Sequence, residues 1–179
     1  MRKANYLWLV FFENKIAFKT GEDFYHKLQL VFNAIIALPL IPFALIYLDI
    51  QEGGEAVAFI SAKVAFVLQW VLPALAGGMA YLGHQHHKHQ LPTVFEAANL
   101  RAKLGHYYKI QLIKYLYFGA GLLISVAGYY LTRHNVFVVA FVFLLVLLSI
   151  GRPTLKKIIA DLRLNKEEAE VLQEKEEIE

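Results

Sequence analysis

The sequence predicts an all-α integral membrane protein with four transmembrane helices, the last two forming a tight helical hairpin, and interfacial amphipathic segments at both termini. Three observations lead there. Of 179 residues, 58% are hydrophobic and only 18% charged, against about 45–50% and about 25% in soluble domains. The mean hydropathy is +0.44. Long apolar runs recur four times, and the last two lack the polar face at helical spacing that a soluble bundle helix carries.

A helix needs roughly 20 mostly apolar residues to cross a hydrocarbon core about 30 Å thick. The first span is read at 28–48, where only Gln29 and Asn33 interrupt the apolar run, and the second at 56–82, interrupted by Ser61, Lys63 and Gln69. The third is 112–131, with Lys114 near its start, and the fourth 135–151, built on the uncharged run Val136–Ile150. That run reaches only about 22 Å at about 1.5 Å per residue, so Asn135 and the stretch from Ser149 to Leu155 are expected to lengthen it. Thr132 to Asn135 is short enough to join the last two spans as a hairpin. Pro39, Pro42 and Pro73 predict an irregular first pair of spans; the second pair has no Pro and reads as straight.

The flanking segments read differently. Residues 1–27 form a cytoplasmic N-terminal segment in which Tyr6 to Phe12 is aromatic and apolar but far too short to span, so it is placed in the headgroup layer. Glu13, Glu22 and Asp23 speak against a secretory signal peptide. Residues 83–111 are read as a cytoplasmic loop, with a helix opening near Pro92 and running through Gly105 into the third span. In the tail, 152–179, Leu155, Ile158, Ile159 and Leu162 share one face, and the neighbouring cations suit an anionic inner leaflet. From Glu167 the charge turns acidic, and that end is expected to stand off the membrane or fray.

Orientation follows from Lys and Arg. Leaving out Lys63, sixteen fall on the side of both termini and of the 83–111 loop, and one, Arg133, on the other. The reading is a multi-pass protein of the inner (plasma) membrane with both termini cytoplasmic. Tyr25, Tyr81, Tyr107, Tyr108 and Tyr115 fall near the cytoplasmic interface and Tyr47, Tyr129 and Tyr130 near the outer one, as an aromatic belt requires.

Chemistry-bearing residues are few. His84, His86, His87 and His89 lie just past the second span; imidazoles three residues apart on a continuing helix face one ion from adjacent turns. His26, His106, Glu22, Asp23 and Glu96 are further donors on the same side. Membrane di-iron oxygenases gather several separated His boxes at the ends of their spans; this chain has one irregular cluster, and no family is assigned from it. The expected ligand is at most a weakly held divalent transition metal. Lys63 is the one formal charge placed well inside a span, with Asp49, Glu52 and Glu55 as acids within reach of a snorkelling ammonium. Gln29, Asn33 and Gln69 read as packing amides, and Gly77, Gly78, Gly119, Gly121, Ser125 and Gly128 as small residues for close helix approach.

The absence of Cys excludes disulfides and thiolate sites. The net charge of +3 is spread over several segments, which does not describe a nucleic-acid binder. No Walker loop, GxGxxG, HExxH or GxSxG occurs. The functional expectation is an accessory or scaffold subunit, or a self-associating membrane module, forming a homo-oligomer or part of a larger complex in the bilayer. The alternative is an oligomeric transporter lined by Lys63, Gln69, Gln29 and Asn33; a His-dependent metalloenzyme is third.

Overall fold

Six α-helices follow one another in the computed structural model, which describes residues 18–53, 60–97 and 99–173. They are α1 (Gly21–Gln51), α2 (Ala62–Gln90), α3 (Leu100–Thr132), α4 (Val136–Ile150), α5 (Leu155–Leu162) and α6 (Lys166–Gln173), with a 3₁₀ turn over Leu91–Glu96 between α2 and α3. No β-strand occurs among the described residues. Three helical segments are long and apolar enough to cross a membrane: α1, α2 with its 3₁₀ extension, and α3. Taken as one bent span, α4 and α5 make a fourth.

Each boundary has a local cause. The Thr20 hydroxyl accepts the Asp23 N–H at 3.2 Å, and Glu22 and Asp23 sit in the first turn of α1, where carboxylates complement the helix dipole. The helix therefore starts about two turns before Leu28, and it runs unbroken through Pro39 and Pro42. Likewise α2 runs unbroken through Pro73, so the expected irregularity of the first pair does not interrupt either helix. It begins at Ala62, after extended Ser61, and carries all four clustered His to Gln90.

The expected loop 83–111 is thus mostly helix. Nothing between Leu82 and Gln90 breaks helical geometry; hydropathy marks where lipid contact ends, whereas the hydrogen-bond ladder continues until Pro92 opens the tighter turn. After Ala97, Asn99 accepts the Ala102 N–H at 2.9 Å and starts α3, which opens at Leu100 instead of near Pro92 and passes through Gly105 as expected.

The hairpin between α3 and α4 forms as predicted. Arg133 closes α3 in the left-handed region, φ 54°, its N–H bonding the Tyr129 carbonyl at 2.8 Å. The far end of α4 departs from expectation: it stops at Ile150 instead of lengthening to Leu155. Gly151 caps it, Pro153 cannot continue it, and α5 leaves at 71°, started by the Thr154 hydroxyl.

Helix α3 is the hub. In its most apolar stretch 56% of residues are buried, against 17% in α1 and 11% in α2. Backbones approach where side chains are absent: a Cβ on Gly121 would lie 2.8 Å from the Ala76 carbonyl oxygen, and one on Gly128 would overlap the Phe137 ring. Aromatic rings fill the wider gaps. Phe43 of α1 stacks on Phe141 of α4 at 3.9 Å and 3°, with Tyr129 beside it at 5.6 Å.

Within the described residues the tail is helical and packed on the bundle. Ile158 and Leu162 of α5 are fully buried, so the face expected to meet lipid packs on protein instead. Helix α6 docks at the start of α1, where Leu172 is 2% exposed and a Cβ on Gly21 would lie 2.7 Å from its carbonyl oxygen. The amphipathic pattern was legible, but an apolar stripe serves a protein surface as well as a lipid one. The aromatic N-terminal segment from Tyr6 to Phe12 and the acidic end beyond Gln173 lie outside the described residues.

Candidate functional site

Lys103, Tyr107, Gln111 and Lys114 recur at helical spacing along α3 as one polar stripe. It faces the end of α2 and the returning tail. Tyr107 donates its hydroxyl to Asp161 Oδ2 of α5 at 2.9 Å and accepts from Gln111 Nε2 at 2.7 Å. The same Gln111 nitrogen lies 3.1 Å from His87 Nε2 of α2, which accepts when that ring nitrogen carries no proton. Two further polar atoms, Gln111 Oε1 and Tyr115 Oη, are buried without a hydrogen-bond partner among the described residues.

Below this network the stripe is clamped by an ion pair. Lys103 Nζ meets Glu168 Oε1 of α6 at 2.6 Å. Asn165 and Glu168 form a reciprocal cap: the Glu168 N–H donates to Asn165 Oδ1 at 2.7 Å and the Asn165 N–H to Glu168 Oε2 at 3.1 Å. Burial alone would raise the Glu168 pKa, but Lys103 and the Asn165 N–H outweigh it and hold the carboxyl below its usual range.

Above the network lies a cavity of about 450 Å³. Lys114 and Lys157 stand at its polar end with His84; Phe118, Phe143 and Leu147 line the apolar remainder. Lys114 is only 7% exposed, and its ammonium has no hydrogen-bond or ion-pair partner among the described residues. Lys157 and Asp161 both act on it electrostatically, one as a like charge and one as an opposite charge. The Asp161 carboxylate, however, is engaged by Tyr107.

The residues singled out from the sequence are not brought together. His84 faces the cavity, His87 meets Gln111, His86 borders a separate pocket with His106 and Lys109, and His89 is exposed. Consecutive helical positions fan their side chains around the axis, so four imidazoles in six residues cannot converge. Among the described residues no group of three His, Asp or Glu side chains is placed to hold a metal ion. Asp23 pairs with Lys27 at 2.8 Å; the Glu96 side chain lies outside the described residues.

Lys63, placed seven residues into a span by the sequence, is exposed in the first turn of α2. Of the three acids expected within its reach, Asp49 lies 3.9 Å from Arg133 instead, Glu52 is exposed just past α1, and Glu55 lies outside the described residues. Gln29 donates to the Tyr25 hydroxyl one turn back at 2.8 Å, Asn33 is exposed and Gln69 half-buried. Neither of the two pockets above includes any of these four. The residues the sequence reading missed are Tyr107, Gln111, Lys114, Lys157 and Asp161. For the first three the signal was the recurrence of polar side chains on α3 at steps of three and four; Lys157 and Asp161 belong to α5.

Fold and site together define an all-helical bundle of membrane-spanning length, closed at one end by a hydrogen-bonded tail. The chain matches no protein-family model, no curated protein sequence and no solved structure with which it was compared.

Proposed function

We propose that the chain is a four-span protein of the inner membrane, with both termini cytoplasmic, that works without catalysis as a self-associating scaffold module. One observation carries the self-association. Ala74 and Gly78 lie one turn apart on the exposed side of α2, and nothing stands within 4 Å of a Cβ built on Gly78. Small residues at that spacing let a second helix approach closely enough for backbone contact, the main source of helix affinity in lipid. Trp70, Val71 and Leu75 flank this face, all exposed.

The fourth span has its own support. A Cβ on Gly151, just past α4, would lie 3.6 Å from Lys114 Nζ. After Arg133 the hairpin therefore returns within reach of the Lys114 side chain, α4 itself rising about 22 Å at about 1.5 Å per residue. Most of the depth that α3 crosses beyond Lys114 is thus crossed again by α4. The cation asymmetry supports the orientation: the start of α1, the end of α2 and the tail share one end of the bundle, and Asp49 and Arg133 the other.

Subunit counting by single-molecule photobleaching in lipid bilayers tests the module. Dimers at low protein-to-lipid ratio, weakened at least tenfold by Gly78→Leu, are expected. A monomer at every ratio removes the self-association.

A further inference from the structure

We propose that the cavity between α2, α3, α4 and α5 is a binding site for an anionic membrane lipid, its phosphate held by Lys114 and Lys157 and one acyl chain lying along α4. The inference rests on the membrane reading above and goes beyond it by naming a ligand and the residues that take it.

The charge argument comes first. Two ammonium groups at the end of one cavity repel each other, and Lys114 is more than nine-tenths buried. Taking an unpaired ammonium out of water is costly unless an anion accompanies it. Asp161, whose carboxylate also accepts from Tyr107, sets one negative charge against two ammonium groups and leaves the pair with excess positive charge facing the cavity. A phosphate offers several acceptor oxygens to two ammonium groups at once, and charge-assisted hydrogen bonds are the strong ones. His84 stands at the same end as a third donor.

Shape and depth narrow the anion to a lipid. The cavity of about 450 Å³ is in the range of small-molecule sites. Only its end is cationic; Phe118, Phe143 and Leu147 present hydrocarbon, which a free phosphate leaves uncovered. Its flanks are open sideways, where Tyr81 of α2 is 61% exposed and Phe143 of α4 61%. That is the direction from which a lipid enters in the plane of the bilayer. Lys114 lies two residues inside the apolar run of α3, the depth of the headgroup boundary, and Phe143 and Leu147 lie deeper along α4. Headgroup and chain therefore match the bilayer's own polarity gradient.

The test uses the full chain, purified in detergent, with dioleoylphosphatidic acid and dioleoylphosphatidylcholine as probes and lipid retention read by native mass spectrometry. Phosphatidic acid is expected to bind at least tenfold more tightly than the zwitterionic lipid. Lys157→Met and Lys114→Met should each weaken it about tenfold, the loss of one charge-assisted contact, while Lys156→Met, on the exposed side of α5, leaves it unchanged. Gly77→Leu fills the cavity from α2, where nothing lies within 4 Å of the Cβ position, and keeps both cations. It should weaken binding as much. Thermal midpoints of every variant separate lost binding from lost fold. Equal affinity for the two lipids, or full competition by inorganic phosphate at the lipid's concentration, overturns the proposal. Flotation of the reconstituted protein reads membrane insertion separately, so failure of the membrane reading and failure of the lipid site give different results.

Discussion

The Tyr107 hydroxyl and the Asp161 carboxylate meet at 2.9 Å across 54 residues of sequence. This contact fastens α5 to the central helix, and with the Lys103–Glu168 pair it closes the bundle end. Tyr107 is fully buried and uses its oxygen twice, donating to Asp161 and accepting from Gln111.

Tyr107→Phe should therefore lower stability by about 1.5–3 kcal/mol, the range for a hydrogen bond to a charged group. Asp161→Ala should cost a similar amount, and the double variant little more than Tyr107→Phe alone, because that change already removes the Asp161 contact together with the Gln111 one. Thermal unfolding of the four proteins in detergent measures the cycle. Full additivity would show that the two residues act independently.

Acid should release α6 before the rest of the fold. The folded Glu168 carboxyl has its pKa below the ordinary value of 4.5. Its contribution is complete above the unfolded pKa and is lost as the pH falls through the folded one. Hydrogen exchange over Lys166 to Gln173 should be flat between pH 7 and about pH 5, once corrected for intrinsic rates, and accelerate at lower pH. Glu168→Gln should exchange faster at neutral pH and lose the acid step.

Two glycines should respond oppositely to the same methyl group. Gly121→Ala presses on the Ala76 carbonyl oxygen at 2.8 Å, backbone that cannot swing aside, and should cost about 1–3 kcal/mol. Gly77→Ala meets nothing within 4 Å and should be neutral or stabilising by up to about 1 kcal/mol through helix propensity. Midpoints shifting in the same direction by the same amount would contradict the packing described.

Zinc should bind the His-rich turn no more tightly than separate imidazoles do. His84, His86, His87 and His89 fan around α2, so His86→Ala with His89→Ala should change little in a titration of tag-free protein at pH 7.5. A micromolar site lost in that double variant would show that the side chains converge.

Because the chain has no cysteine, single introduced thiols report topology without background. Lys88→Cys and Lys156→Cys should react with an impermeant maleimide from the cytoplasmic side only, and Glu52→Cys from the opposite side only. Labelling of all three from one side would contradict the arrangement of spans.

The sequence by itself determined the class of structure, because lipid-length apolar helices and their turn residues are local properties. Val136 to Ile150 could be little other than helix, Arg133 and its neighbours little other than a hairpin turn, and Pro153 ended α4 where a proline must. Tertiary structure decided what the ends of those helices do. Whether Ile158 and Leu162 cover lipid or protein depends on a surface supplied by residues far away in the chain. The same holds for Lys114, which reads as the interfacial lysine at the start of a span and becomes a buried cation only because the end of α4 returns beside it. Spacing along one helix says which side chains share a face. It cannot say what that face meets, since a contact such as Tyr107 to Asp161 is set by the packing angle of helices joined through a distant turn.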